Sequence, residues 1–293
     1  MRRDRPRRVA VIGVSSLWGS EIARRLERDP EIEYVAGFDS APGERLERTE
    51  FIEADVRSAL LARLLPGTGV DTVVHCGILL YPEPGKPARA LHEINVIGTL
   101  QLLAACERTP TLSRIVIRGS AAIYGCEGAS PAFFTEDLAR RLPLRTRFQR
   151  DVSELEEYFE NFAARHPHLS CCMLRYQPEL GADLDAPLVR YLTLPVVPTQ
   201  LGFDPRLQLI HADDALDALE AAVRSDVRGP VNVAADGAIS LSRLLRLARR
   251  PAMALPHPLF APALSRLGRR LGAGGLYGDA VRLLRYGRGV DNT

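Results

Sequence analysis

Lysine is nearly missing from this chain: Lys86 is the single lysine among 38 basic residues, and all the others are arginines. Long apolar runs are missing as well, since none approaches the ~20 residues that a helix needs to span a bilayer. The N-terminus has no apolar segment of the signal-peptide kind. We therefore expect a globular, cytoplasmic protein without a membrane partner, in which almost no ammonium group is available for catalysis.

Cysteines are few, and they lack the spacing of metal ligands. The chain has 5 cysteines, an odd number: Cys76, Cys106, Cys126, Cys171 and Cys172. We predict reduced thiols in the core and no metal site. The net charge of +2 gives no reason to expect a nucleic-acid partner, and the basic N-terminal octapeptide MRRDRPRR is interpreted as a solubilising tail. With 293 residues, 46% of them apolar, the chain can bury one large core or two closely joined domains.

The stretch from Val9 to Gly19 predicts a strand, a tight turn and a helix. Its sequence, VAVIGVSSLWG, begins with four apolar residues that run into Gly13. A turn of this kind presents backbone N–H groups and the positive end of a helix dipole, which favour a phosphate or pyrophosphate. The spacing Gly13, Ser16, Gly19 lacks the middle glycine of the common dinucleotide fingerprint, so the turn alone is also compatible with a connection that binds nothing.

Asp39 favours the nucleotide interpretation. It ends a second apolar strand, Tyr34 to Phe38, about 20 residues beyond the turn, where a carboxylate can accept both ribose hydroxyls of an adenosine. A carboxylate there repels a 2′-phosphate. The expected cofactor is therefore NAD rather than NADP.

Short apolar strands alternate with amphipathic helices as far as Arg175. This alternation predicts an α/β fold with a Rossmann-type, doubly wound parallel sheet. Five residues fall at the carboxyl ends of its strands, where the binding crevice of such a sheet lies: Gly13, Asp39, Asp55, His75 and Ser120. We expect residues 1–178 to form the dinucleotide-binding domain, with 207–235 returning to it. Residues 179–206 and 236–293 are expected to form a smaller, mainly helical C-terminal lid over the substrate.

Taken together, these motifs resemble the extended short-chain dehydrogenase/reductases. Within that group the NAD-dependent epimerase/dehydratase family, with UDP-glucose 4-epimerase-like proteins, is the most similar. The resemblance rests on VAVIGVSSLWG at 9–19, VVHCGI at 73–78, NVIGT at 95–99, GSAAIYG at 119–125, MLRYQPELG at 173–181 and LIHADDALDALEAAV at 209–223. It implies a nucleotide sugar or a related small molecule as substrate. It also implies a homodimer through the helices that follow the fourth and fifth strands.

The resemblance also assigns site residues. Gly13, Ser16, Leu17, Trp18 and Gly19 are expected to hold the pyrophosphate, Asp39 the adenosine ribose, Asp55 and Val56 the adenine, and Cys76 and Gly77 to lie beside the nicotinamide half. Ser120 falls on the family's catalytic serine or threonine. Tyr124 is expected to be structural.

The family's YxxxK pair is where this chain departs from the pattern. The alignment puts Phe148 at the tyrosine and Val152 at the lysine, and Lys86 lies too early in the chain to replace it. Loss of a positioned acid/base typically costs ~10²- to 10⁴-fold in rate. Arg150 can supply charge, and Tyr176, Tyr81 or His75 are the candidate proton carriers. Two hypotheses follow. The chain is an epimerase/dehydratase-type enzyme that uses Ser120 and another proton donor, or it is a catalytically silent nucleotide-binding sensor or assembly partner. As regards conventional epimerase chemistry, we favour the silent protein.

Overall fold

A parallel seven-stranded sheet forms the centre of the protein. The computed structural model describes residues 7–79, 88–138, 143–182, 184–270 and 279–293. Their strands are β1 (Arg7–Ile12), β2 (Ile32–Asp39), β3 (Thr49–Glu53), β4 (Thr72–His75), β5 (Arg114–Ser120), β6 (Ser170–Tyr176), β7 (Glu179–Leu180), β8 (Val197–Gln200), β9 (Arg206–Leu207), β10 (Ile210–His211), β11 (Gly229–Val233), β12 (Ile239–Ser240) and β13 (Ala252–Leu255).

The order of strands across this sheet is β11-β6-β5-β4-β1-β2-β3, and all neighbours are parallel. The chain therefore builds outward from β1 in one direction, then returns to β4 and builds outward in the other. The carboxyl ends of β1 and β4 flank the point where the direction changes, which is where doubly wound sheets bind their ligands. The predicted fold class, a doubly wound parallel sheet, is confirmed.

Helices cover both faces of the sheet. They are α1 (Leu17–Arg28), α2 (Leu61–Gly67), α3 (Ala88–His92), α4 (Gly98–Glu107), α5 (Arg147–Arg165), α6 (Pro187–Leu192), α7 (Ala212–Arg224), α8 (Leu241–Leu247), α9 (His257–Arg270) and α10 (Asp279–Tyr286). One apolar cluster lies between the sheet and α2, α4 and α5, and a second lies between the sheet and α1 and α7. The strands are therefore buried on both sides, as their nearly continuous apolar sequences require.

The apolar pattern through Leu91, Ile94 and Ile97 predicts one long helix, but the structure interrupts it. A π-helical segment, Glu93–Ile97, separates α3 from α4. The buried Asn95 explains the interruption, because its side chain accepts from the N–H of Leu79 and donates to the carbonyl of the same residue, each at 2.8 Å. These bonds tie the helix to the segment that follows β4.

The C-terminal part of the chain divides between the sheet and a smaller unit. The strand β11 pairs with β6 and completes the sheet. In the smaller unit, α6, α8, α9 and α10 enclose a separate apolar cluster, which includes Tyr191, Phe260 and Leu284. Cys126, which follows β5, packs into that cluster. The smaller unit therefore lies against the carboxyl side of the sheet.

No helix among the described residues combines the length and apolar character that crossing a membrane would require. The five cysteines are free and buried.

Candidate functional site

The turn between β1 and α1 is packed so closely that two of its positions accept only glycine. Gly13 has a φ of +80°, and a Cβ added there would lie 2.5 Å from the Cα of Gly77. A Cβ on Gly19 would overlap the carbonyl oxygen of Gly13. The missing side chains bring the N-terminus of α1 directly over the end of β1, beside the segment that follows β4.

Ser16 is the N-cap of α1. Its hydroxyl donates to the Gly13 carbonyl at 2.6 Å and accepts from the Gly19 N–H at 3.0 Å, so the side chain points back into the turn. The first N–H groups of a helix have no acceptor within it. In the described chain this cap leaves those of Leu17 and Trp18 for an acceptor outside the helix. Together with the helix dipole they suit the oxygens of a pyrophosphate.

The carboxylate of Asp39 is oriented by backbone groups. One oxygen accepts from the N–H of Ser15 at 3.0 Å, and the other accepts from the N–H of Ser40 at 2.7 Å. Each carboxylate oxygen has a further lone pair that can accept a hydroxyl hydrogen. Asp39 is therefore fixed beside the turn, and its contact with a ribose stays a prediction.

The carboxylate of Asp55 accepts hydrogen bonds from Arg57, a contact that the sequence pattern does not predict. The Nε of Arg57 lies 2.9 Å and 3.1 Å from its two carboxylate oxygens, and this guanidinium lowers the pKa of the Asp55 carboxyl. Val56 is half-buried beside it. An open cavity of about 410 Å³ is lined by Asp55, Arg57, Ser58, Glu93 and Ile97. An adenine amino group in this cavity would share the carboxylate with Arg57.

Cys76, Gly77 and Ser120 lie on the other side of the turn, at the ends of β4 and β5. Burial raises the pKa of the Cys76 thiol to about 12, so it is neither a nucleophile nor a base near neutral pH. Ser120 is 8% exposed, and its hydroxyl oxygen accepts from the N–H of Ala122 at 3.2 Å. Its own hydrogen is available to donate to a substrate oxygen.

The two positions aligned with the catalytic pair lie in hydrocarbon. Phe148 and Val152 stand one turn apart on α5, and both pack into a small apolar cluster with Ile123, Tyr124 and Phe134. The cluster lies against the short 3₁₀ helix, Ala121–Tyr124, that directly follows Ser120. Neither side chain can donate or accept a proton.

The substitutes considered for proton transfer have other roles where they are described. Burial lowers the pKa of His75 to about 4, so its ring is neutral, and it accepts from the N–H of Gly77. The hydroxyl of Tyr176 donates to the carbonyl of Ala215 at 3.0 Å, and burial raises the pKa of this tyrosine well above 10. Arg150 is exposed. Tyr81 lies outside the described residues.

Tyr124 belongs to a buried polar network. Its hydroxyl donates to Asn232 at 2.6 Å and accepts from Arg175 at 2.9 Å, and Arg175 pairs with Glu156 on α5. Desolvation raises the pKa of Tyr124. The network fixes α5 against β6, and a hydroxyl held on both sides is not free for catalysis.

Two inward-pointing arginines were missed from the sequence. Arg282 on α10 pairs with Glu127, and the Nε of Arg288 donates to Gln177 at 3.2 Å. The arginine-rich sequence from Leu241 to Tyr286 predicts mostly solvated arginines, and these are exposed where their side chains are described: Arg243, Arg246, Arg249, Arg250 and Arg266. Those of Arg269 and Arg270 lie outside the described side chains. No signal in the arginine-rich C-terminal sequence separates the inward pair from the exposed ones.

Arg118 was also missed, although its position in the sequence RIVIRGS gives a signal. A charged residue inside a buried strand requires a partner, and Arg118 pairs with Glu179 while its guanidinium stacks over Trp18. The residues at the β1, β2 and β3 ends thus suit the adenosine diphosphate part of NAD, whereas a cation lies at the β5 end. No group of three or more potential metal ligands occurs in the described residues.

Comparison with known proteins gives consistent matches. A model of the family described as "NAD dependent epimerase/dehydratase family" matches residues 9–234. The uncharacterized protein Rv0501 of Mycobacterium tuberculosis is 36% identical over 294 residues, which cover 98% of this chain and 78% of that protein.

Two solved structures have the same fold. UDP-glucose 4-epimerase of Thermotoga maritima, solved with UDP-glucose, matches with a TM-score of 0.70 at 19% identity, covering 84% of this chain and 85% of that one. UDP-glucuronic acid 4-epimerase of Bacillus cereus, solved with UDP-glucuronic acid and NAD, matches with a TM-score of 0.67 at 20% identity, covering 85% of each chain.

Proposed function

Because this chain belongs to the NAD dependent epimerase/dehydratase family, we propose that it binds NAD and a nucleotide sugar but does not carry out conventional epimerase chemistry. The observation that supports this proposal most directly is the packing of Phe148 and Val152 into an apolar cluster beside Ser120. The family assignment made from sequence is confirmed, and NAD is the cofactor that the family description names.

The proposed cofactor site uses the residues predicted for it. The N–H groups of Leu17 and Trp18 would hold the pyrophosphate, and Asp39 would accept the adenosine ribose. Asp55 and Val56 would border the adenine. When bound, NAD supplies a hydride acceptor, and oxidation of a sugar hydroxyl also requires a base for the hydroxyl proton.

No described candidate residue supplies that base. Ser120 can donate a hydrogen bond to a sugar oxygen, but a serine does not ionise near neutral pH without a neighbouring base. The hydroxyl of Tyr176 is bonded to a backbone carbonyl, and His75 is buried and neutral. The lost acid/base alone corresponds to ~10²- to 10⁴-fold in rate.

The proposed sugar nucleotide would lie between Ser120 and the C-terminal lid. Arg282 and Arg288 support this placement, because both reach from the lid toward the residues that follow β5 and β6. Arginine suits a diphosphate because its planar guanidinium binds two oxygens at once. The related structures solved with UDP-glucose and UDP-glucuronic acid support a sugar nucleotide of this class.

The second candidate is an active enzyme that draws its proton donor from the segment after β4. Tyr81 belongs to this segment in the sequence, outside the described residues. The ends of β4 and β5 meet beside Ser120, which favours this segment over any other as a source. Substitution of Tyr81 by Phe would abolish turnover in that case.

The homodimer and the cytoplasmic location expected from the sequence remain proposals. A dimer through α4 and α5 would bring exposed charged residues of α5 together, among them Glu157, Glu160 and Arg165. Pairing of these helices would therefore depend on salt concentration.

Calorimetric titration with NAD tests the binding proposal. Wild type is expected to bind, and Asp39→Ala to lose binding. Glu33→Gln is a matched control, because Glu33 lies near the start of the same strand and pairs with Arg8 at 3.3 Å, away from the turn. Absence of heat and of a thermal shift with wild type would reject the proposal.

A further inference from the structure

A buried ion pair occupies the carboxyl end of β5. Arg118 is 2% exposed and its partner Glu179 is 5% exposed. Arg118 lies between Ile117, in the cluster on one face of the sheet, and Gly119, so its side chain shares the other face with Val116. That face is the one covered by α1.

Two aromatic rings enclose the Arg118 guanidinium. Its central carbon lies 4.2 Å from the centre of the Trp18 ring and 5.1 Å from the centre of the Tyr176 ring. Trp18 belongs to the first turn of α1, and Tyr176 ends β6. The Arg118 charge also acts on the Cys76 thiol at the end of β4. The cluster, which we call the Arg118 stack (Trp18, Arg118, Tyr176 and Glu179), thus spans the ends of β5 and β6 and the first turn of α1, beside the turn between β1 and α1.

The position of the Arg118 stack matters because a dinucleotide has two halves. In a doubly wound sheet the pyrophosphate lies over the first turn, with one nucleoside on each side of the point where the strand order reverses. Asp39 fixes the adenosine half on the side of β2. The other half must therefore extend over β4 and β5, where the Arg118 stack lies.

We propose that the Arg118 stack excludes the nicotinamide half of NAD from the crevice. The crevice then recognises the adenosine diphosphate part of its ligand, and the nicotinamide adds nothing to the binding affinity. This inference rests on the proposed function. It makes Trp18 and Arg118 specificity-determining residues, and it includes ADP and ADP-ribose among the ligands of this site. NAD then binds through its adenosine diphosphate part alone.

Displacement of Arg118 by a ligand is strongly unfavourable. It would leave the Glu179 carboxylate buried without its partner, and an unpaired buried charge costs far more than the intact pair contributes. The stacking on Trp18 would be lost in the same step.

The test compares ligands that differ only in the nicotinamide. Titrations of wild type with ADP-ribose and with NAD are expected to give dissociation constants equal within about threefold. The Arg118→Met/Glu179→Gln variant removes both charges together, and with them the Arg118 Nε that is buried without a hydrogen-bond partner in the described structure. It is expected to bind NAD about tenfold more tightly than ADP-ribose. Trp18→Ile, which leaves the ion pair in place, is the second variant. It is also expected to bind NAD more tightly than ADP-ribose.

The control is another arginine stacked on an aromatic ring. Arg8 lies 4.3 Å from the centre of the Tyr34 ring near the start of β1, away from the crevice, and Arg8→Ala is expected to leave the ratio at its wild-type value. A wild-type preference for NAD of about tenfold or more would overturn the inference while leaving the proposed function intact. A folded stack variant whose ratio of the two dissociation constants equals that of wild type would also overturn the inference. Failure of wild type to bind either ligand would instead reject the proposed function, and this inference with it.

Discussion

Asp39 is the residue whose charge we expect to decide which nucleotide the site accepts. Its carboxylate is fixed by the N–H groups of Ser15 and Ser40, so it cannot turn away from a ligand without breaking those bonds. A 2′-phosphate placed against it would meet like charge at short range. We predict that NADP binds at least about tenfold more weakly than NAD, measured by parallel calorimetric titrations at constant salt. Equal affinities would show that Asp39 does not contact the ribose.

At the residue scale, some features of the site could be predicted from the sequence and others could not. The position of Asp39 at the end of β2 was predictable because an apolar run precedes it, whereas its contact with a ribose stays a prediction. Arg57 was not predictable, because nothing in an alternating pattern shows that it would bond the Asp55 carboxylate two residues earlier. The pairing of Arg118 with Glu179 joins positions 61 residues apart, and their contact depends on how β6 leads into β7. The Arg118–Glu179 contact is tertiary, and one sequence does not contain such a contact in readable form.

At the scale of elements, the N-terminus of α5 carries more than its own cap. Thr146 accepts from the N–H of Gln149 at 3.1 Å, and the Gln149 side chain accepts from the N–H of Thr146 at 3.2 Å, which completes a capping box. The Thr146 hydroxyl also donates to the carboxylate of Asp279 on α10. This one cap therefore joins α5, which packs on the sheet, to α10 of the smaller C-terminal unit.

Thr146→Ala is expected to lower the free energy of unfolding by about 1–2 kcal/mol, because it removes the cap and a hydrogen bond to a half-buried carboxylate. Thr146→Ser retains the hydroxyl and should recover most of the loss. Urea unfolding of the three proteins measures the difference. A Ser variant as unstable as the Ala variant would show that the threonine methyl group, rather than the hydroxyl, stabilises the helix.

Element boundaries were predicted less well than element types. The strands of the central sheet followed from apolar runs separated by helical patterns. The same patterns predict helices from about Arg57 and from Val152, whereas α2 begins at Leu61 and α5 begins at Arg147. The cap at Thr146, not the apolar pattern, decides where α5 starts.

For the whole molecule, burial of His75 predicts how stability depends on pH. Burial lowers its pKa from 6.5 to about 4, so between these values the unfolded chain binds a proton that the folded protein does not. The free energy of unfolding must therefore fall as the pH falls from about 6.5 to about 4, by up to ~3 kcal/mol from this residue. Asp55, whose pKa is lowered in the fold, adds to the loss at more acidic pH.

Urea unfolding across this pH range checks the expectation. A His75→Gln variant carries no titrating group at this position and should lose most of the slope above the range where carboxylates titrate. If wild type and variant show the same slope, the histidine is not held neutral in the fold.

The central claim is that a nucleotide-binding turn persists in this molecule beside a catalytic position filled by hydrocarbon. Its most direct test is incubation of wild type with NAD and UDP-glucose, with chromatographic measurement of any new sugar nucleotide. The account predicts no product beyond that formed without protein. Sustained formation of UDP-galactose, in amounts exceeding the protein present, would contradict it.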